Sequence, residues 1–192
     1  VSRLGRINVN DAPLIVIRTP RSVDLSVGGA VYGAVGRGAT AIELGNAGCG
    51  DWTVANTGDL SISMAGSGSV RAGTSARLDV SVAGSGEVRA GATRNLDVSV
   101  AGSGDVWVAE VNGPVDVSIA GSGDVTVAGG QVGAVDVSIA GSGDVDIRAT
   151  AASVDASIMG SGDVHIAGVT GTVERSIMGS GSVTVGERTY ER

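Results

Sequence analysis

The chain has 192 residues and a net charge of −7, with 33 glycines, no phenylalanine and no lysine. Its 42% apolar share excludes a disordered chain, and it has no run of about twenty apolar residues, which a membrane span needs. Without lysine, Schiff-base chemistry, a phosphate-loop lysine and a polybasic surface are excluded. We therefore expect no cofactor, no nucleic-acid partner and no membrane span.

The first 22 residues stand outside the pattern that fills the rest of the chain. They contain short apolar runs, of which Leu14–Ile17 is the longest, and Pro20 closes them. The length fits one domain, because typical domains have roughly 100 to 200 residues. We interpret residues 1–22 as the N-terminal cap segment of a single domain that covers residues 1–192.

From residue 23 onward the chain repeats a motif built around a Gly-Ser-Gly triplet. The triplets recur every 18 to 20 residues, beginning at residues 66, 84, 102, 121, 141, 160 and 179. Two altered copies, at residues 48–50 and 29–31, extend the series toward the N-terminus. In each copy every second residue is apolar both before and after the triplet, which is typical of two β-strands joined by a turn.

A turn of about 19 residues that stacks parallel strands on the previous turn predicts an all-β fold. The expected architecture is a right-handed, single-stranded parallel β-helix, a solenoid of about nine coils over residues 23–185. All variation in coil length falls in one segment, so we expect two regular sides and a third, looser one. The core would consist of stacked apolar columns, the first being Leu78, Leu96, Val115, Val135, Val154 and Val173.

The C-terminal end departs from the repeat. In the second core column Arg175 stands where earlier copies have Val80, Val98, Val117, Val137 and Ala156. An arginine there predicts the open end of the rod, where Arg175 would form part of a cap. We interpret residues 186–192 as a polar tail.

Three more apolar residues interrupt the repeat. Trp52 falls at an inward position in an irregular early coil, where it would fill the core. Met159 and Met178 replace the alanine that precedes the triplet in earlier copies. Either they pack against the corner, or they form part of a contact with a partner.

The recurring Asp-Val-Ser-Ile-Ala-Gly-Ser-Gly-Asp-Val motif, over roughly residues 58–185, resembles the auto-transporter adhesin, head GIN domain family of bacterial envelope proteins. The resemblance implies a right-handed parallel β-helix. It also implies an extracytoplasmic location, in the periplasm or at the cell surface. It implies no catalytic or ligand-binding residues.

Two columns of outward residues are acidic. Ladder 1 precedes the triplet and consists of Asp79, Asp97, Asp116, Asp136, Asp155 and Glu174; ladder 2 follows it and consists of Glu87, Asp105, Asp124, Asp144 and Asp163. Neighbouring carboxylates about 4.8 Å apart repel by about 0.9 kcal/mol even in water. Hydrogen bonds from backbone N–H groups at the turn would relieve this repulsion, and bound Ca²⁺ is the alternative. We favour the hydrogen bonds and expect no metal site.

One outward column escapes the repetition and is the candidate binding surface. We call it the strip; it consists of Thr53, Arg71, Arg89, Trp107, Thr126, Asp146, His165 and Thr184. The candidate ligand-binding residues are Arg71, Arg89, Trp107, Asp146 and His165, with Trp107 as a stacking platform and the arginines as partners of acidic groups. In the alternative interpretation, Arg89 covers Trp107 by a cation–π contact and Asp146 pairs with His165.

The resemblance implies an adhesin-like or structural module of the bacterial cell envelope, and we expect it to be non-enzymatic. A catalytic relay of Asp146, His165 and a threonine is disfavoured, because outward side chains on a sheet lack an enclosed pocket. A carbohydrate-binding or carbohydrate-degrading β-helix is the alternative. A polysaccharide or another envelope protein is the expected partner, with self-association as a further alternative.

Overall fold

The computed structural model describes residues 21–191, and every regular element in that range is a β-strand. Face 1 of the solenoid is built from β1 Ser22–Gly29, β3 Ala41–Gly48, β5 Asp59–Gly66, β7 Arg77–Gly84, β9 Asn95–Gly102, β11 Val115–Gly121, β16 Val173–Gly179 and the C-terminal parts of β13 Gln131–Gly141 and β14 Val145–Gly160. Face 2 is built from β2 Gly33–Val35, β4 Asp51–Val54, β6 Ser69–Ala72, β8 Glu87–Thr93, β10 Asp105–Val111, β12 Val125–Val127, the N-terminal part of β14, β15 Val164–Val169 and β17 Val183–Val185.

Each of these strands pairs in parallel with the equivalent strand one coil later. On face 1, for example, β9 pairs with β11 in the register Leu96↔Val115 and β11 pairs with β13 in the register Val115↔Val135. The predicted solenoid of about nine turns, about 19 residues apart, is confirmed. Its handedness stays a prediction. Among residues 21–191 we find no helix that is long and apolar enough to cross a membrane.

The core follows the predicted columns. Leu78, Val115 and Val135 of the first column are at most 2% exposed, and so are Val80, Val117 and Val137 of the second. Because strand side chains alternate in direction, each coil contributes inward residues from both faces. The outward residues between them form ladders one coil apart.

The corners between the two faces depend on glycine. The first glycine of each triplet has a positive φ, 144° at Gly141, which other residues rarely adopt. A Cβ at Gly141 would also overlap the carbonyl oxygen of Gly121 in the preceding coil. That same carbonyl accepts a hydrogen bond from the backbone N–H of Ser142 at 2.8 Å. Stacked corners therefore approach too closely for any side chain on the first glycine.

The early coils depart from the repeat, as their sequence indicates. Trp52 is 7% exposed and lies in the core, which confirms its prediction as a core residue. Gly33 makes room for it, since a Cβ on Gly33 would overlap the indole ring. Asn46, 2% exposed, occupies a core column, where its Nδ2 donates to the carbonyl oxygen of Gly50 at 2.9 Å. Residues 1–20 of the cap predicted over residues 1–22 lie outside the described residues. Ser22 is the first residue of β1.

At the C-terminal end a hairpin covers the last strand of face 2. Residues 188–190 of the predicted polar tail form β18, Arg188–Tyr190, which pairs antiparallel with β17 after a turn at Gly186. The Arg175 guanidinium lies 4.5 Å from the centroid of the Tyr190 ring. Arg175 thus contributes to a cap, as expected. Its aromatic partner was missed because Tyr190 lies outside the repeat.

Replacing a corner glycine tests the account of the corners. We expect Gly141→Ala to lower the free energy of unfolding by about 3 kcal/mol, because strained φ and the overlap with Gly121 add up. This corresponds to a fall in Tm of roughly 6–12 °C by calorimetry. Gly129→Ala is the control, since its Cβ would lie an ordinary 3.8 Å from the Ala109 carbonyl oxygen. An equal fall in Tm for the two substitutions would show that strain and overlap at Gly141 do not limit the corner.

Removing the hairpin tests the cap. A chain ending at Val185 lacks β18 and exposes the backbone edge of β17, which can recruit a strand from a second copy. We expect this truncated chain to elute from a sizing column in larger species than the full chain does at equal concentration. Tyr190→Ala, which keeps the backbone of the hairpin, should elute unchanged. If the truncated chain and the full chain elute alike, β18 does not protect the edge.

Candidate functional site

The strip forms a continuous outward column on face 2. Each member is in register with the next, as in Arg71↔Arg89, Arg89↔Trp107, Thr126↔Asp146 and Asp146↔His165. Parallel strands place such neighbours about 4.8 Å apart. The structure thus brings all five candidate binding residues, Arg71, Arg89, Trp107, Asp146 and His165, into one line along the axis. Their role in binding stays a prediction.

The buried neighbours of these residues hold the strip outward. Val106 and Val108, on either side of Trp107, are at most 1% exposed. Trp107 itself is 39% exposed, although it is a large apolar side chain. Sheet alternation therefore presents the indole ring to solvent on a flat face.

Arg89 does not cover Trp107. Its Nε donates instead to Oε1 of Glu87, two residues earlier on the same side of β8. Within residues 21–191 the one cation–π contact is that of Arg175 with Tyr190. The prediction of an Arg89–Trp107 contact is therefore wrong, because the guanidinium of Arg89 pairs with the carboxylate of Glu87 on the same strand.

Asp146 does not pair with His165 either. Its Oδ2 accepts a hydrogen bond from Nε of Arg148 at 2.7 Å, and its Oδ1 is buried without a hydrogen-bond partner. His165 is exposed beside it. Thr184, the next member of the strip, donates its hydroxyl to Thr189 at 3.2 Å. The expected Asp146–His165 pair is therefore wrong, and two groups of a conceivable relay, Asp146 and Thr184, have other partners.

Ladder 2 is held by hydrogen bonds to the backbone. Oδ1 of Asp124 accepts from the N–H of Asp144 at 3.0 Å, and Oδ1 of Asp144 accepts from the N–H of Asp163 at 2.8 Å. The last bond in the ladder joins Asp163 to the N–H of Ser182 at 2.8 Å. The favoured interpretation is thus correct for the four aspartates of ladder 2, whose donors are the residues at the equivalent position of the next coil. Glu87 is the exception, because its carboxylate pairs with Arg89.

Ladder 1 has a different environment. Its carboxylates lie along a groove of about 530 Å³ at the junction between the third side and face 1, together with Arg77, Asn95 and Pro114. The pKa of Asp116 is raised, first by partial burial and then by the charges of Asp97 and Asp136. The pKa of Asp79 is raised by partial burial and by Asp97, against the lowering effect of Arg77. At Asp79 and Asp116, neighbouring carboxylates thus add to the effect of partial burial.

The groove was not predicted from the sequence, although a signal for it exists. Its walls come from the residues directly before and after the first core column, where the segment of variable length ends. Within residues 21–191 no three His, Cys, Asp or Glu side chains are arranged to share a metal ion.

Two exposed features lie away from the strip. Met159 and Met178 are 61% and 63% exposed and in register with each other, so they do not pack into the corner. Cys49 is also exposed.

The raised pKa values predict how pH affects stability. When the pKa of a carboxyl is higher in the folded than in the unfolded protein, the folded protein binds more protons at pH values between the two. The free energy of unfolding therefore falls as pH rises through this range. We expect Asp116→Asn to raise Tm at pH 7 by up to about 4 °C at low salt, since two repulsions together worth under about 1 kcal/mol after screening are lost. At pH values below the ordinary pKa of aspartate, Asp116 is protonated and uncharged, so the variant and the wild type should have the same Tm.

Asp124→Asn is the matched control for this experiment. Asp124 also has acidic neighbours, but its Oδ1 accepts the backbone bond from Asp144, and amide replacement weakens that charge-assisted bond. Thermal melting at several pH values should therefore show no gain for this variant. An equal gain in both variants would mean that the hydrogen bonds of ladder 2 do not offset its repulsion.

Comparisons with known proteins identify the family. The profile of the family described as "Putative auto-transporter adhesin, head GIN domain" matches residues 6–131. Arg71, Arg89 and Trp107 lie inside the matched range, and the same coil register continues beyond it to β17. No curated protein and no solved structure matches the chain. By this match over more than half of its length, the chain belongs to the auto-transporter adhesin, head GIN domain family.

Proposed function

We propose that the protein is a non-enzymatic, adhesin-like module of the cell envelope that acts outside the cytoplasm and binds its partner along the strip. The family supports an adhesive role and an extracytoplasmic location. The observation that carries the choice of surface is Trp107, which is 39% exposed in an outward column that does not repeat. An exposed aromatic side chain on a rigid face suits a binding surface.

The geometry of face 2 favours adhesion to an extended partner. About nine coils at about 4.8 Å give a face roughly 43 Å long. Weak contacts repeated along such a face add up, because the first contact raises the effective concentration of the next. The solenoid core holds the spacing of these contacts constant.

The contacts of the strip favour binding over catalysis. Asp146 is engaged by Arg148, and Thr184 is engaged by Thr189, so neither is set up to activate a nucleophile with His165. The strip also lies on an outward sheet face, where Trp107 and His165 are exposed to water. A carbohydrate-degrading role therefore receives no support from these residues, whereas a binding role does.

Adhesion of the purified protein to bacterial cells tests the proposed surface. We expect a Trp107→Ala, Arg89→Ala variant to lose about fivefold or more of its binding to intact cells in flow cytometry, because the platform and its polar neighbour are removed. A Met159→Ala, Met178→Ala variant removes exposed apolar side chains on face 1 and should bind like the wild type. Loss of binding in the methionine variant alone would place the adhesive surface elsewhere.

A further inference from the structure

We propose that the part of the strip centred on Trp107 binds a chain of neutral hexoses. This inference rests on the function proposed above and names the ligand class of the same surface. It follows from the free ring of Trp107, from the polar groups around that ring, and from the sign of the charge there.

The indole ring is available as a platform. No cation lies over it, because Arg89 is held by Glu87. Two residues further along β10 the outward position is Ala109, whose methyl group leaves that side of the ring open. The C–H face of a pyranose ring can stack on such an exposed aromatic surface, as other apolar surfaces do.

Hydrogen-bonding groups surround the platform on three sides. Arg89 precedes Trp107 in the strip and Thr126 follows it, both in direct register. Asp105 lies two residues earlier on the same side of β10. A guanidinium donates, a carboxylate accepts and a threonine hydroxyl does both, so together they match the hydroxyl groups at the rim of a hexose.

Two of these polar groups are held in place. The Arg89 guanidinium is fixed by its ion pair with Glu87. Oδ1 of Asp105 accepts a hydrogen bond from the backbone N–H of Asp124 at 3.2 Å, which leaves Oδ2 to accept from a ligand. Preorganised groups lose less conformational entropy on binding, which favours recognition of a weakly held ligand such as a sugar.

The local charge excludes an acidic saccharide as the preferred ligand. Glu87 neutralises Arg89, and the carboxylates of Asp105 and Asp124 lie beside the platform. Arg71 is one coil further away, and the chain as a whole carries −7. A polyanion would meet excess negative charge here, whereas uncharged hydroxyl groups would not. The structure therefore favours a neutral ligand over the acidic groups considered from the sequence.

Tryptophan fluorescence of the full chain tests the inference, since Trp52 is buried and Trp107 alone is open to a quencher. The probes are a soluble neutral β-glucan, a neutral galactomannan and, as the anionic comparison, polygalacturonate, each at low and at physiological salt. We expect a neutral polysaccharide to protect Trp107 from acrylamide, independently of salt. Trp52→Phe leaves Trp107 as the sole emitter and should report the same protection.

Variants at the platform measure its contribution by affinity electrophoresis. Trp107→Ala should weaken binding of the neutral polysaccharide by about tenfold or more, and Trp107→Phe should retain part of it, because an aromatic face remains. Since Trp107 points outward, both variants should keep the melting temperature of the wild type. Met178→Ala is the control for loss of an exposed apolar side chain.

The outcomes separate this inference from the proposed function. Protection by polygalacturonate alone, lost at physiological salt, would overturn the neutral ligand, and so would no protection by either neutral polysaccharide. In both cases a loss of cell binding in the strip variant would still uphold the adhesive surface. Neutral-sugar binding at Trp107 combined with unchanged cell binding in the strip variant would instead refute the proposed function.

Discussion

The close stacking of the Gly-Ser-Gly corners is the constraint on which the rest of the structure depends. At each corner the backbone of one coil lies against the carbonyl of the corner before it, with a hydrogen bond such as Ser142 N–H to Gly121 at 2.8 Å. Because nothing larger than hydrogen fits on the first glycine, the corners lock neighbouring coils into one register. Differences in coil length are then absorbed on the third side, and both faces keep their columns in line.

That register determines what the outside of the molecule can do. Equivalent residues of neighbouring coils lie close to each other even where both carry a negative charge. In ladder 2 each aspartate reaches the backbone of the next coil, as Asp124 reaches Asp144. In ladder 1 the carboxylates line a groove, and the pKa of Asp116 rises. The strip escapes such repetition, so it alone among these columns offers varied side chains at regular spacing.

The spacing of the repeat predicts the coil, the core columns and the alignment of the strip, because inter-coil register depends only on equivalent positions. It does not predict which neighbour a long side chain selects. Arg89 could reach either Trp107 or Glu87, and Asp146 either His165 or Arg148, and in both cases the partner two residues away on the same strand prevails. The hairpin with Tyr190 lies outside the repeat, where no periodic signal exists. The groove depends on how the third side approaches face 1.

The central claim, that strip residues stack one coil apart along a single face, is tested most directly by distances between spin labels. Labels would replace Thr53 and one of Asp146, His165 or Thr184, in a chain that also carries Cys49→Ser. These pairs are five, six and seven coils apart, so pulsed electron spin resonance should give distances of about 24, 29 and 34 Å. Equal steps of about 4.8 Å are the expected result. Distances that scatter or stop increasing with coil number would contradict the stacked register.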